Sequence, residues 1–245
     1  MYDWREGERA QRLRVDKEYT LENTKIRDIT IGFLYRKSFG VMDRWGGLAD
    51  EILRSATYFS SSYFPSIQTN QGQQGRLYNP EKGHYLVVSA DNMIYCHVFQ
   101  DDFDKEYGRF GAAIEKDLIP KVINKNDLEV VRIGVVYTYI LTEDQISKYS
   151  SSLFKPEMKG INDFRFSRKE PSVKGGSLDG TDDYINKIIT VGAVPDDKLG
   201  ITYDYQYIFE PPKKDVSKDV KKIISNAKKS FNSYIDQEVL SVKRG

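Results

Sequence analysis

ITIGFLY, Ile29–Tyr35, returns 102 positions later as VRIGVVY, Val131–Tyr137. Both read apolar, polar, Ile-Gly, two apolar residues and Tyr. A second pair keeps the same order: YCHVFQ, Tyr95–Gln100, recurs as YQYIFE, Tyr205–Glu210, at an offset of 110. Two matches in register signify two copies of one supersecondary unit. Each Ile-Gly motif sits in an alternating, β-rich run, which predicts strands over 26–37 and 128–141. Parity then puts Ile29, Ile31, Phe33 and Tyr35 on one face with Val131, Ile133, Val135, Tyr137 and Tyr139. Thr30, Gly32, Leu34, Arg132, Gly134 and Val136 fall on the other.

Working outward, Thr142 and Gln145 form a capping-box pattern ahead of a helix over 143–154. In the first copy Val41, Trp45, Leu48, Ile52 and Phe59 mark the matching helix, weakened at its start by Gly46 and Gly47. HYLVVSA and MIYCHVFQ flank Asp91-Asn92 as a hairpin with a two-residue turn, which sets Leu86 opposite His97. YINKIITVGAV and ITYDYQYIF make a looser hairpin. Each hairpin runs into a long amphipathic helix, one over 103–122 with Pro120 near its end and one lined by Val220, Ile223, Ile224, Ala227, Phe231, Tyr234 and Ile235.

The fold class is therefore α+β: a duplicated strand-helix-hairpin-helix unit, forming an antiparallel sheet with helices packed on one face. The organisation expected is an N-terminal arm (1–25), a first α+β repeat (26–125) and a second, pseudo-symmetric repeat (126–245). The alternating rings Tyr203, Tyr205, Tyr207 and Phe209 are read as the buried underside of that sheet, against the alternative of a base-stacking platform.

A chain of 245 residues with 39% hydrophobic side chains can bury a core without metal or disulfide staples. Its one cysteine, Cys96, excludes an intramolecular disulfide framework. With 37 basic against 36 acidic residues, the net charge of +1 gives no overall pull on nucleic acid or anionic membrane. No apolar run is long enough to span a bilayer and the polar start MYDWREGERAQRLR lacks a signal-peptide hydrophobic stretch, so a cytoplasmic protein without membrane attachment is expected.

No catalytic constellation, metal site or cofactor is read from the residues. Cys96 and His97 are neighbours on a strand and point to opposite faces. His84 and His97 share a hairpin face three residue pairs apart, with no third ligand at metal spacing. Asp101, Asp102, Asp182 and Asp183 could support a metal-dependent hydrolase, though helix capping and turn formation account for such acids more simply. NQGQQGR, Asn70–Arg76, reads as a polar loop before a strand.

The surfaces left for contact are three. The basic loop 155–174 carries Lys155, Lys159, Arg165, Arg168, Lys169 and Lys174 with Phe164 and Phe166 interleaved. Arg132 lies on the small-residue sheet face, and Arg5, Arg9 and Arg12 recur along the arm. The expected function is a non-catalytic interaction or adaptor subunit of a larger prokaryotic assembly, with another protein as partner. Nucleic-acid binding through the sheet face and the 155–174 loop is the alternative.

RIGVVYTYI, Arg132–Ile140, with the two long helices and the chain length, resembles a sporadically distributed group of uncharacterised prokaryotic proteins that bear an Arg-Ile-Gly-x-x-Tyr strand before their second half. That resemblance implies no activity and no functional residue. The order of elements is similar to that of the duplicated TATA-box-binding-protein repeat, which implies a fold and carries no function.

Overall fold

The computed structural model describes residues 26–70, 74–100, 102–142, 145, 166–169, 173–174, 182–194 and 198–240. In chain order the elements are β1 (Ile26–Tyr35), α1 (Phe39–Asp43), α2 (Trp45–Ser55), β2 (Ser66–Asn70), β3 (Gln74–Tyr78), β4 (Tyr85–Ser89) and β5 (Asn92–Val98). They continue with α3 (Phe103–Ala113, prolonged as Ile114–Asn124), β6 (Val130–Ile140), β7 (Phe166–Lys169), β8 (Val173–Lys174), β9 (Tyr184–Val194), β10 (Lys198–Lys213) and α4 (Ser217–Tyr234, prolonged as Ile235–Leu240).

All pairings within the ten-stranded sheet are antiparallel, in the order β2-β3-β4-β5-β1-β6-β10-β9-β7, with β8 also on β9. The order is palindromic. From the centre outwards each half contributes its first strand, its last and its penultimate one. The centre is the β1–β6 pair, where Gly32 lies directly opposite Gly134. Tyr95 pairs with Ile31 and Tyr207 with Ile133, so Tyr207, not Tyr205, occupies the place equivalent to Tyr95. That two-residue slip keeps every side chain on its face.

One face of the sheet is the core. Ile29, Ile31, Phe33, Ile133, Val135 and Tyr137 are buried completely, and Tyr203, Tyr205, Tyr207 and Phe209 are buried with them. The aromatic stripe is thus the underside of the helix layer. Phe231 of α4 stacks on Tyr137 at 4.6 Å and meets Tyr203 edge-on at 5.8 Å. In the other half Phe110 of α3 stacks on Tyr95 at 5.3 Å. Val130, rather than Val131, faces inward at the start of β6, because the ladder slips between Leu34 and Tyr35 and turns the strand by one residue.

Local chemistry sets the element ends. Asp102 caps α3 by accepting from Lys105 N at 3.1 Å. Thr142 and Gln145 realise the capping box, with N–H groups donated at 2.9 and 3.3 Å. The helix expected over 143–154 otherwise lies outside the described residues. Pro120, near the end of the expected 103–122 helix, is a residue that ends or kinks helices. The helix instead runs past it to Asn124 in π form, and Lys125 N donates to Pro120 O at 3.1 Å.

Three further expectations are corrected. The 89–92 turn is longer than two residues, because Ser89 Oγ accepts from Asn92 N at 3.1 Å and donates to Asp91 at 2.8 Å. Val88 rather than Ala90 pairs with Met93, so Leu86 faces Tyr95. Of the stretch read as a polar loop at 70–76, Asn70 ends β2 and Gln74–Arg76 begin β3, with Asn70 paired to Gln74. Part of 155–174 is also strand: Phe166–Lys169 and Val173–Lys174 both pair with β9. Among the described residues no helix is long and apolar enough to cross a membrane.

Candidate functional site

The second face of the sheet carries no described helix. Ile94, Gly32, Gly134 and Gln206 stand in one row across four strands, and Cys96, Thr30, Val136 and Asp204 in the next. Thr30, Gly32, Leu34, Arg132, Gly134, Val136 and Thr202 are each half-exposed. Arg132, a contact residue expected from the sequence, lies here and donates to Gln206 Oε1 at 3.5 Å, while Gln206 Nε2 donates to Asp204 Oδ2 at 2.6 Å. Burial raises the Asp204 carboxyl above its ordinary range, opposed by the Gln206 hydrogen bond and the Arg132 charge. Gln206 thus bridges one basic and one acidic side chain at the centre of the face.

Among the described residues, packing does not require the two central glycines. There a Cβ on Gly32 would meet only Ile94 Cγ1 at 3.9 Å, and one on Gly134 only Asp204 Oδ1 at 3.6 Å, both ordinary contacts. Glycine weakens a strand interior, so its use at two paired positions fits a place where another backbone or a ligand comes close. Further out, Arg76 lies over the rings of Tyr78 at 5.2 Å and Tyr85 at 5.3 Å. That trio escaped the sequence reading, because 70–76 was taken as loop and the Arg-x-Tyr alternation of β3 went unseen.

No known family model and no curated protein matches the chain.

The core side holds a different constellation. With the hairpin register corrected, His84 and His97 are cross-strand neighbours, stacked at 4.6 Å and 8°. Gly83, at φ +76°, turns the chain so that His84 enters the core. His84 Nδ1 accepts from Val98 N at 3.1 Å, and its ring lies parallel to Tyr63 at 4.8 Å. His97 Nε2 contacts Glu106 Oε2 at 2.9 Å, its Nδ1 contacts Tyr63 Oη at 2.8 Å, and Tyr63 Oη meets Tyr95 Oη at 2.7 Å. With His97 Nε2–H donating to Glu106 Oε2, the chain runs Tyr95 O–H to Tyr63 O–H to His97 Nδ1. Burial pushes both phenols well above their ordinary range, so neither serves as a ready base or nucleophile. The network joins α3, β5 and the 56–65 segment, and its chemistry is positional.

Burial also pulls the His84 imidazole down to about 3, with His97 adding to the effect. Its folded value lies below the unfolded one of about 6.5. The unfolded chain therefore takes up a proton as pH falls through 6.5 while the folded chain does not until about 3, and stability declines across that window. Urea unfolding is expected to show a loss of about 2 kcal/mol from this group between pH 7 and pH 5. A His84→Gln variant should show a flatter profile, and equal slopes would refute the assignment.

The remaining candidates are not gathered into one site. Cys96 is buried on the face opposite His97, and burial pushes its thiol up to about 12. Asp183 is buried and accepts from Tyr207 Oη at 2.8 Å and Glu210 N at 2.7 Å. Asp102 follows β5 at the strand end where Asp28 pairs with Val98, whereas Asp183 precedes Tyr184 at the end where Arg132 pairs with Leu34. From Asp28 to Leu34 is roughly 20 Å of strand, so the two acidic clusters do not meet. Asp101 is outside the described residues. Among those described, no three His, Cys, Asp or Glu side chains converge as a metal site would need.

Of the basic segment, Phe166, Arg168, Lys169 and Lys174 fall on β7 and β8 at the sheet's second edge. Lys155, Lys159, Phe164 and Arg165, with Arg5, Arg9 and Arg12 of the arm, lie outside the described residues. On the helix layer a cleft of about 250 Å³ is lined by Phe103, Asp104, Lys228, Asn232, Ile235 and Asp236. Lys228 already sits over Tyr107 at 4.3 Å and reaches Asp104 at 3.4 Å, so its charge is engaged.

Proposed function

We propose that the chain is a non-catalytic interaction protein, a subunit or adaptor that presents the sheet face without a described helix to a partner protein. The observation that carries this reading is the Gly32–Gly134 pair: two glycines abreast, partly exposed, with room among the described residues for a side chain that neither has. A flat floor of backbone and small residues suits close approach by another chain, and the polar clusters elsewhere are closed on themselves. The palindromic strand order supports descent of the two halves from one doubled unit, as the similarity to TATA-box-binding-protein repeats implies for the fold alone.

The test separates binding from folding. Gly32→Val fills open space and raises β propensity, so the melting temperature should hold or rise by an amount worth about 0.5 kcal/mol. Partner recovered with the tagged wild-type chain from its native lysate should be lost from the variant. Equal recovery by both, or a melting temperature that falls, contradicts the reading.

One observation favours nucleic acid as the second reading. Arg76 stacked on Tyr78 and Tyr85 shares its sheet face with Arg132, an arrangement able to hold a phosphate beside a stacked base. Filter retention of single- or double-stranded DNA at low salt, weakening as salt rises and lost in Arg76→Ala, is the result it requires. No retention of either removes it.

A further inference from the structure

β2 is the outermost strand on the first half's side of the sheet. Its inner edge pairs with β3 through five unbroken pairs, Ser66↔Tyr78 to Asn70↔Gln74. Among the described residues nothing pairs with its outer edge, which leaves a row of backbone donors and acceptors open. Ile67, Gln68 and Thr69 are all exposed, and Ile67, at 54%, is one of two large hydrophobic side chains so exposed among the described residues. Proteins ordinarily guard such an edge with charge, proline or a bulge. Ser66–Asn70 reads SIQTN and has none of the three.

We propose that β2 is a homodimerisation edge. Two copies join β2 to β2, antiparallel about a two-fold axis at Gln68, and carry the sheet across the interface. In that register Gln68 faces its own counterpart, Ile67 faces Thr69 of the second copy, and Ser66 faces Asn70. This surface is the rim of the sheet, so it stands apart from the face assigned to a partner above.

Charge and symmetry select this occupant. An uncharged strand meets no like-charge repulsion when it pairs with itself, whereas self-pairing of β7 at the far edge would gather two copies of the adjacent Arg168 and Lys169 at one junction. Joining β2 to β7 head to tail would leave edges open and propagate, while β2 on β2 closes after one step. Ile67 against a β-branched threonine covers the exposed apolar group. On the other face Gln68 already gives an amide hydrogen to Tyr78 Oη at 3.2 Å, and its carbonyl oxygen can accept from the second Gln68.

Sedimentation velocity on the full chain is expected to show a monomer–dimer equilibrium. Ile67→Lys, which places two ammonium groups at the junction, should weaken it at least about tenfold without altering the far-UV circular dichroism. Gln68→Cys gives an independent readout. Directly opposed residues of antiparallel strands lie at about 4.5–5.5 Å between Cα atoms, within disulfide reach, so mild oxidation should yield a covalent dimer. Cys96, buried, does not compete, and Lys222→Cys on the exposed side of α4 serves as control. A chain monomeric at every concentration, a dimer indifferent to Ile67→Lys, or cross-linking no faster at 68 than at 222 overturns the proposal.

Discussion

Phe231→Ala should lower the unfolding free energy by about 4 kcal/mol. Its ring is wholly buried and meets three tyrosines of two central strands: Tyr137 at 4.6 Å, Tyr203 at 5.8 Å and Tyr139 at 6.4 Å. Truncation removes the transfer energy of a benzyl group, leaves a cavity that a stiff sheet cannot close, and breaks a stacked aromatic pair worth about 1 kcal/mol in itself. In a chain of this size the melting temperature should fall by roughly 12 °C. Phe39→Ala is the control, since Phe39 is 65% exposed, and should stay within about 0.5 kcal/mol of wild type. If Phe231→Ala cost under about 1 kcal/mol, α4 would not be seated on the aromatic face, and the account of which face is covered would fail with it.

The elements that the sequence disclosed are those whose signal is local. Alternation around Gly32 and Gly134 marked the two central strands, and Thr142 with Gln145 marked a capping box, because hydrophobic period and capping are properties of a few adjacent residues. The aromatic stripe was placed correctly because its partner helix, with Val220, Ile224, Ala227 and Phe231 at helical spacing, had an apolar face to bury. Pairing register is not local in this sense. Ser89 Oγ turned an expected two-residue turn into a longer one, and the resulting slip moved His84 from a distant position to stacking contact with His97. Glu106 and Tyr63, which complete that network, come from a helix and from a segment between elements, and nothing in their neighbourhood announces them. β2 and β3 escaped because SIQTN and QGRLY are short and polar, the second also broken by a glycine; β3 is a strand because β4 pairs with it, and β2 because β3 does. At the site, the Ile-Gly repeat was visible from the start, but only the β1–β6 register brings its glycines together.

Gly75→Ala tests the opposite kind of glycine from Gly32. Both interrupt strands, yet a Cβ on Gly75 would fall among the ring atoms Cε2 and Cδ2 of Trp45, which lies flat on the β3 backbone and is 4% exposed. The indole cannot yield easily, because Leu48, Ala49 and Ile52 of the same helix are buried beside it. The methyl group must therefore displace α2 from the sheet, at the upper end of the usual overpacking range, about 3 kcal/mol. Trp45 should lose its shelter, seen as a red shift in fluorescence together with a lower urea midpoint. Trp45→Leu combined with Gly75→Ala should recover part of the loss, because the smaller side chain vacates the space that the methyl needs, and such non-additivity is expected only of residues in contact. Strictly additive costs would mean that Gly75 is required by its backbone conformation. The distinction bears on function. Glycine at 75 answers a demand from inside the chain, whereas Gly32 and Gly134 answer none from the described residues, so a substitution that stabilises the fold at 32 while abolishing partner binding would show that the demand there comes from outside.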